Sequence, residues 1–125
     1  MRIHHIAIIC SNYAASKQFY TEILGLTVLA EHYRAERESW KLDLGIGGHY
    51  VLELFSFPQP PARPSRPEAC GLRHLAFAVA DVAAQKSLLE QKGLICEAIR
   101  IDEFTGKPFF FTRDPDNLPL EFYQE

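Results

Sequence analysis

The chain has 125 residues, 47% hydrophobic and 23% charged, with a formal net charge of −3. That length and balance suit one globular domain and exclude disorder, collagen and coiled coil. No basic field exists to draw nucleic acid or an anionic membrane, and no apolar run approaches the roughly 18–20 residues of a membrane helix.

The start, Met1-Arg2-Ile3-His4, lacks a leader's apolar segment, so the expected location is the cytoplasm. Residues 3–10 are β-branched and apolar, a strand; Ser11 or Asn12 caps the helix that follows, and Gly25 stops it. Tyr13, Ser16, Tyr20, Ile23 and Leu24, flanked by Phe19, form its buried stripe. Strands are expected at 26–33, 38–46 and 49–57, the last two joined at Gly47-Gly48. Five of the eight prolines then fall within 58–67, so 58–70 reads as a semi-extended linker. The order repeats with a strand at 73–79, a helix capped by Asp81 and strands at 94–101, 107–112 and 118–124. In that helix Val82, Gln85, Leu88 and Leu89 mark the buried side. Cys10, Cys70 and Cys96 form no CxxC and are odd in number, so buried, reduced thiols are expected.

The repetition is literal. Residues 5–17 align without gaps on 74–86, with His5/His74, Ala7/Ala76, Ala14/Ala83, Ala15/Ala84 and Lys17/Lys86 identical. One residue fewer in the offset carries Leu52-Glu53-Leu54-Phe55 onto Leu120-Glu121-Phe122-Tyr123. Two modules, 1–57 and 71–125, each run strand–helix–strand–strand–strand.

Histidine therefore recurs in the first strand of each module and glutamate in the last. Both strands are otherwise apolar, so these groups need a partner or a metal. With first and last strands side by side, each module offers one His–Glu pair on one sheet face. Two facing modules bring together His5, Glu53, His74 and Glu121, a set whose two carboxylates balance a divalent ion and whose nitrogen and oxygen donors suit Ni, Co, Zn, Mn or Fe. The alternative is two ordinary buried His–Glu hydrogen bonds. Duplication of the pair favours the metal. His4 faces the other way and is read as a flanking residue; His32 and His49 lack duplicated counterparts.

These modules, with His-Ile-Ala-Ile, Phe-Tyr-Thr-Glu-Ile-Leu-Gly-Leu, Arg-His-Leu-Ala-Phe and Asp-Pro-Asp-Asn-Leu-Pro-Leu-Glu-Phe, resemble the vicinal oxygen chelate superfamily, and within it the glyoxalase-like group of lactoylglutathione lyase and its relatives. The resemblance spans the whole chain, and 57–74 looks like a bacterial glyoxalase-like subgroup. It implies an α+β fold in one domain over 1–125, with two tandem βαβββ modules forming a curved, barrel-like sheet around a metal site. It also implies a lyase or isomerase acting on a small molecule that chelates the metal through vicinal oxygens, via an enediolate-like intermediate. By position His5, Glu53, His74 and Glu121 become metal ligands, with Glu121 the proton-shuttling base, and a homodimer is expected. Dioxygenases of the same superfamily, with a two-His, one-carboxylate face, and non-catalytic antibiotic binders are the alternatives; a complete four-ligand set separates this chain from both.

For the substrate, Arg34, Arg37, Trp40 and Lys41 form a basic, aromatic cluster able to receive an anionic or thiol-conjugate molecule, or else a solvated strand edge. With Trp40, Leu42 and Leu44 facing the helix, Lys41 and Asp43 face the cavity. Lys41 is then the leading substrate contact and Arg37 the second.

Overall fold

The computed structural model describes all residues from 1 to 125, which divide into two compact units, Met1–Ala62 and Arg63–Glu125. The boundary falls inside the proline-rich segment, whose second half belongs with the C-terminal unit: the Arg63 guanidinium donates to the Leu72 carbonyl at 3.1 Å.

The first unit runs β1 (Ile6–Cys10), α1 (Tyr13–Gln18), β2 (Thr27–Arg34), β3 (Ser39–Ile46) and β4 (His49–Ser56). Its sheet has the order β1-β4-β3-β2, with β1 parallel to β4 and the other pairs antiparallel. Asn12, not Ser11, caps α1, its side chain accepting from the Ala15 amide at 3.0 Å. The helix then widens into a π turn over Phe19–Ile23. There the Thr21 hydroxyl donates back to the Lys17 carbonyl at 2.7 Å, the kind of side-chain competition that loosens a regular ladder. The turn buries Phe19 and Tyr20 and leaves Ile23 and Leu24 half-buried, so the buried stripe shifts toward its flank.

The period-2 pattern sends Leu42, Leu44, Leu52 and Leu54 to the helix side, where all four are fully buried. Each contributes about 1.5–3 kcal/mol relative to an exposed position. Trp40 shares their face and stacks on Tyr13 of α1, ring centroids 5.1 Å apart. The β3–β4 hairpin turns on Gly47-Gly48, with φ of 56° and 80°, a left-handed pair that favours glycine.

The second unit runs β5 (Leu75–Val79), α2 (Val82–Gln91), β6 (Arg100–Ile101), β7 (Pro108–Arg113) and β8 (Pro119–Gln124), with sheet order β5-β8-β7-β6. Asp81 caps α2 through the Ala84 amide at 2.9 Å. Val82 and Leu89 are buried, but Leu88 is 46% exposed, contrary to the expected stripe. The strand expected at 94–101 shrinks to two residues. Ahead of it the contacts with β7 are isolated: the Thr112 hydroxyl donates to the Ile95 carbonyl at 2.8 Å and the Glu97 amide to the Phe111 carbonyl at 2.8 Å. Between β7 and β8, Asp114 accepts from the amides of Asp116 and Leu118, both at 2.9 Å, and fixes the turn.

Each unit is thus the expected βαβββ module of an α+β fold. Its strands form an open four-stranded mixed sheet with two edges; neither sheet closes on itself as the barrel-like expectation required. All three cysteines are free, but only Cys10 is buried; Cys70 is exposed and Cys96 half-buried, against the expectation of three buried thiols.

Candidate active site

Register alone brings each histidine to its glutamate within its own unit. Ala7 of β1 is level with Glu53 of β4, and Ala76 of β5 with Glu121 of β8. His5 and His74 stand two residues before those alanines, just ahead of their strands, on the same face as the glutamates. His5 Nε2 lies 3.2 Å from Glu53 Oε2, and His74 Nε2 lies 3.1 Å from Glu121 Oε2. The imidazoles are about one-third exposed (35% and 32%) and the carboxylates much less (11% and 15%), so the rings are reachable and the glutamates lie deeper.

This geometry fits a metal. Two ligands at right angles on an ion with bonds of about 2.1 Å stand about 3.0 Å apart, close to both separations. The donor set, one imidazole nitrogen and one carboxylate oxygen per unit, has the chemistry of a hard-to-borderline divalent ion. Each unit supplies one such pair; no group of three or more His, Cys, Asp or Glu stands gathered as a metal cluster.

Beyond the pairs, the two units differ. In the first, Glu53 is clamped: Lys41 Nζ is 2.8 Å from Glu53 Oε1 and 2.5 Å from Asp43 Oδ1, and the Tyr50 hydroxyl donates to Asp43 at 3.1 Å. Burial works to raise the Glu53 pKa, but hydrogen bonds from Lys41 and Tyr50 and the charges of Lys41 and His5 hold it below the ordinary carboxylate value. Burial likewise opposes the charge on Lys41, and Asp43 and Glu53 outweigh it, so the ammonium is retained more firmly than usual. Tyr50 is pushed up, first by burial and then by the two carboxylates, and stays a donor. Its ring stacks on His5 at 4.8 Å, while His4 Nδ1 approaches His5 Nδ1 at 2.8 Å.

In the second unit the positions equivalent to Lys41, Asp43 and Tyr50 are Phe109, Phe111 and Leu118. Phe111 is level with Glu121 and meets His74 edge-on at 5.2 Å. Glu121 therefore has His74 beside it and an aromatic wall, with no lysine. Arg100 lies over both Phe109 and Phe111, at 5.0 and 5.5 Å from the ring centroids. A cavity of about 380 Å³ in this unit has His74 and Phe111 in its wall.

Lys41 and Asp43 face the same side as Glu53, as the alternation implied. Arg37 lies in the short turn Ala35–Arg37 between β2 and β3, exposed and apart from that group. Arg34, from the same basic cluster, is spent on structure: it donates to Ser39 at 2.8 Å and lies 4.7 Å from the Phe55 ring. Sequence reasoning missed Tyr50 and read His4 as a flank, although it touches His5. A tyrosine one residue into the strand that carries Glu53 was the available signal.

The Glyoxalase/Bleomycin resistance protein/Dioxygenase superfamily model matches residues 2–122. Over 124 residues the chain is 59% identical to the uncharacterized protein YaeR of Escherichia coli (strain K12), covering 99% of this chain and 96% of YaeR. It is 58% identical to the uncharacterized protein YwkD of Bacillus subtilis (strain 168), covering 98% and 96% respectively. Among solved structures, a glyoxalase family protein from Enterococcus faecalis matches with a TM-score of 0.92 and 51% identity, over 98% of this chain and 96% of that one. No helix is long and apolar enough to cross a membrane. With a family model spanning nearly its whole length and two relatives near 60% identity, the chain belongs to the Glyoxalase/Bleomycin resistance protein/Dioxygenase superfamily.

Proposed function

We propose that this protein is a metal-dependent lyase or isomerase of the glyoxalase type, acting on a small molecule with two vicinal oxygens. The supporting observation is the His–Glu pair repeated through the same atoms in both units, at 3.2 and 3.1 Å. His5, Glu53, His74 and Glu121 would hold one divalent ion, Ni, Co, Zn, Mn or Fe. Bound there, the ion would supply a Lewis acid that makes the C–H next to the carbonyl, on the carbon carrying the second oxygen, more acidic.

The chain's own residues divide the remaining work unequally. Glu53 is fixed by Lys41 on Oε1 and is suited to a constant carboxylate. Glu121 lacks such a clamp and lies beside Phe111, so it is the residue free to take a proton from the substrate and return it. Lys41 is the proposed substrate contact, with the second task of orienting Glu53; Arg37, exposed in the β2–β3 turn, stands apart from it. Two carboxylates, one per unit, favour this reading over a two-His, one-carboxylate oxygenase. Its working form would be a homodimer in the cytoplasm.

A screen of Ni, Co, Mn, Zn and Fe against 2-oxoaldehyde–thiol adducts, 2-hydroxyketones and catechols tests it. Turnover of an adduct or hydroxyketone, abolished by chelator, is expected. Oxygen uptake with catechol and no isomerisation would replace the reading with a dioxygenase, and binding without turnover would replace it with a sequestering protein.

A further inference from the structure

The cavity in the second unit has a wall unlike the rest of this acidic chain. Arg63, Arg66, Arg73, Arg100 and Arg113 all line it, opposed by two carboxylates, Glu68 and Glu97. That leaves an excess of three positive charges on a chain whose net charge is −3.

The internal pairings do not consume this charge. Glu68 is shared between Arg66 at 3.0 Å and Arg73 at 3.6 Å, and Glu97 reaches only Arg100, at 3.4 Å. Arg63 has no carboxylate; it donates to the main-chain carbonyls of Leu72 and Arg73. Two buried polar atoms of wall residues, Arg63 Nε and Ser65 Oγ, make no hydrogen bond. A buried donor left unmade is costly, and a ligand oxygen is one means of satisfying it. Like-charged guanidinium groups gathered around one hollow also repel each other until an anion arrives.

We propose that this cavity binds a small molecule carrying two or more negative charges, as phosphate or carboxylate groups. Planar guanidinium groups donate paired N–H bonds to the oxygens of either group, which a lysine cluster would not. The volume, about 380 Å³, lies near the low end for ligand pockets and suits a metabolite-sized anion. Because His74 is in the same wall, the anion would be the tail of the substrate whose reacting end lies at the His74–Glu121 pair. That last clause rests on the proposed function; the anion site does not.

Calorimetric titration of the metal-stripped full chain at low salt, with pyrophosphate and separately with citrate, tests the site. Arg113→Ala removes a cavity charge that has no carboxylate partner in the structure, and Lys92→Ala removes a charge of the same unit outside the cavity. The expected result is saturable binding of at least one probe, weakened about tenfold or more by Arg113→Ala, unchanged by Lys92→Ala and falling with added salt. Pyrophosphate alone binding identifies a phosphorylated ligand, and citrate alone a polycarboxylate. No binding to the unaltered chain, or equal binding by both variants with circular dichroism showing both folded, overturns the proposal. A parallel metal titration separates it from the functional reading: anion without metal binding sinks the metal reading alone, and metal without anion binding sinks the anion site alone.

Discussion

Lys41 Nζ lies 2.8 Å from Glu53 Oε1, while the residue in the equivalent place of the second unit, Phe109, offers Glu121 no charge. Duplication preserved the His–Glu pairs and changed what surrounds them. One carboxylate is tethered by an ammonium, and the other is bordered by aromatic rings. That asymmetry is the ground on which different tasks are proposed for the two glutamates.

Replacing the tether should expose its purpose. In Lys41→Met, Asp43 and Glu53 are left as cross-strand neighbours with no ammonium between them. The variant is expected to lose about 1–3 kcal/mol at pH 7, the cost of stranding partly buried charge. A divalent ion should restore more stability to this variant than to the unaltered chain, because Glu53 lacks its counter-charge. Melting temperatures with and without added metal measure both effects; identical metal shifts in the two proteins would contradict the clamp.

Glu121→Gln should keep the fold and lose the reaction. The side chain is isosteric and has no lysine to strand, so the melting temperature is expected to shift by no more than about 2 °C. Loss of a general base lowers kcat by about 100-fold or more. Turnover of the substrate found in the metal screen, measured beside metal content, decides the matter; full activity with bound metal would remove Glu121 from the proton transfer.

Away from the site, Glu31 of β2 ties α1 to the sheet. It accepts from Lys17 at 2.7 Å and from the Tyr13 hydroxyl. The hydrogen bonds from Lys17, then from Tyr13, hold its pKa below the ordinary carboxylate value of 4.5, against the opposing effect of burial. Its contribution is therefore fully present above about pH 4.5 and is lost as pH falls through the lower folded-state value. Tyr13 has the opposite sense: burial first, then Glu31, raises its pKa above 10, so its contribution is present below pH 10 and is lost on going more alkaline. Chemical denaturation of the unaltered chain and Glu31→Gln across pH should give curves that differ at pH 7 and converge in acid. A gap that does not narrow as the pH falls through the acid range would contradict the assignment.

Asp114 is expected to be the turn residue that matters most to the second sheet. Asp114→Ala strands the amides of Asp116 and Leu118 at a site that is 5% exposed. The loss should be about 2–3 kcal/mol, and a urea midpoint measures it. An unchanged midpoint would show that the β7–β8 turn holds without it.

Much of this was legible because it is periodic or duplicated. The alternation of Leu42 and Leu44 with Lys41 and Asp43 fixed which residues leave the core, and the repeat of His5 and Glu53 at His74 and Glu121 fixed the pairs. Residues 94–99 were not legible: Leu94, Ile95 and Ile99 look strand-like, but a Thr112 hydroxyl takes the place of a ladder hydrogen bond there. Nor was the widening of α1 at Phe19, where a threonine hydroxyl bonds back to the Lys17 carbonyl. The arginine cavity lay beyond any local pattern, since its wall gathers residues from position 63 to position 119.

The most direct measurement is metal stoichiometry and affinity for the unaltered chain beside His5→Ala and His74→Ala, by titration of the metal-stripped proteins with elemental analysis. About one divalent ion per His5–Glu53–His74–Glu121 set is expected, with binding weakened about 100-fold or more by either substitution, since each removes one of four ligands. No bound ion in the unaltered chain, or an affinity in either variant equal to that of the unaltered chain, would contradict that expectation and leave the two pairs as His–Glu hydrogen bonds.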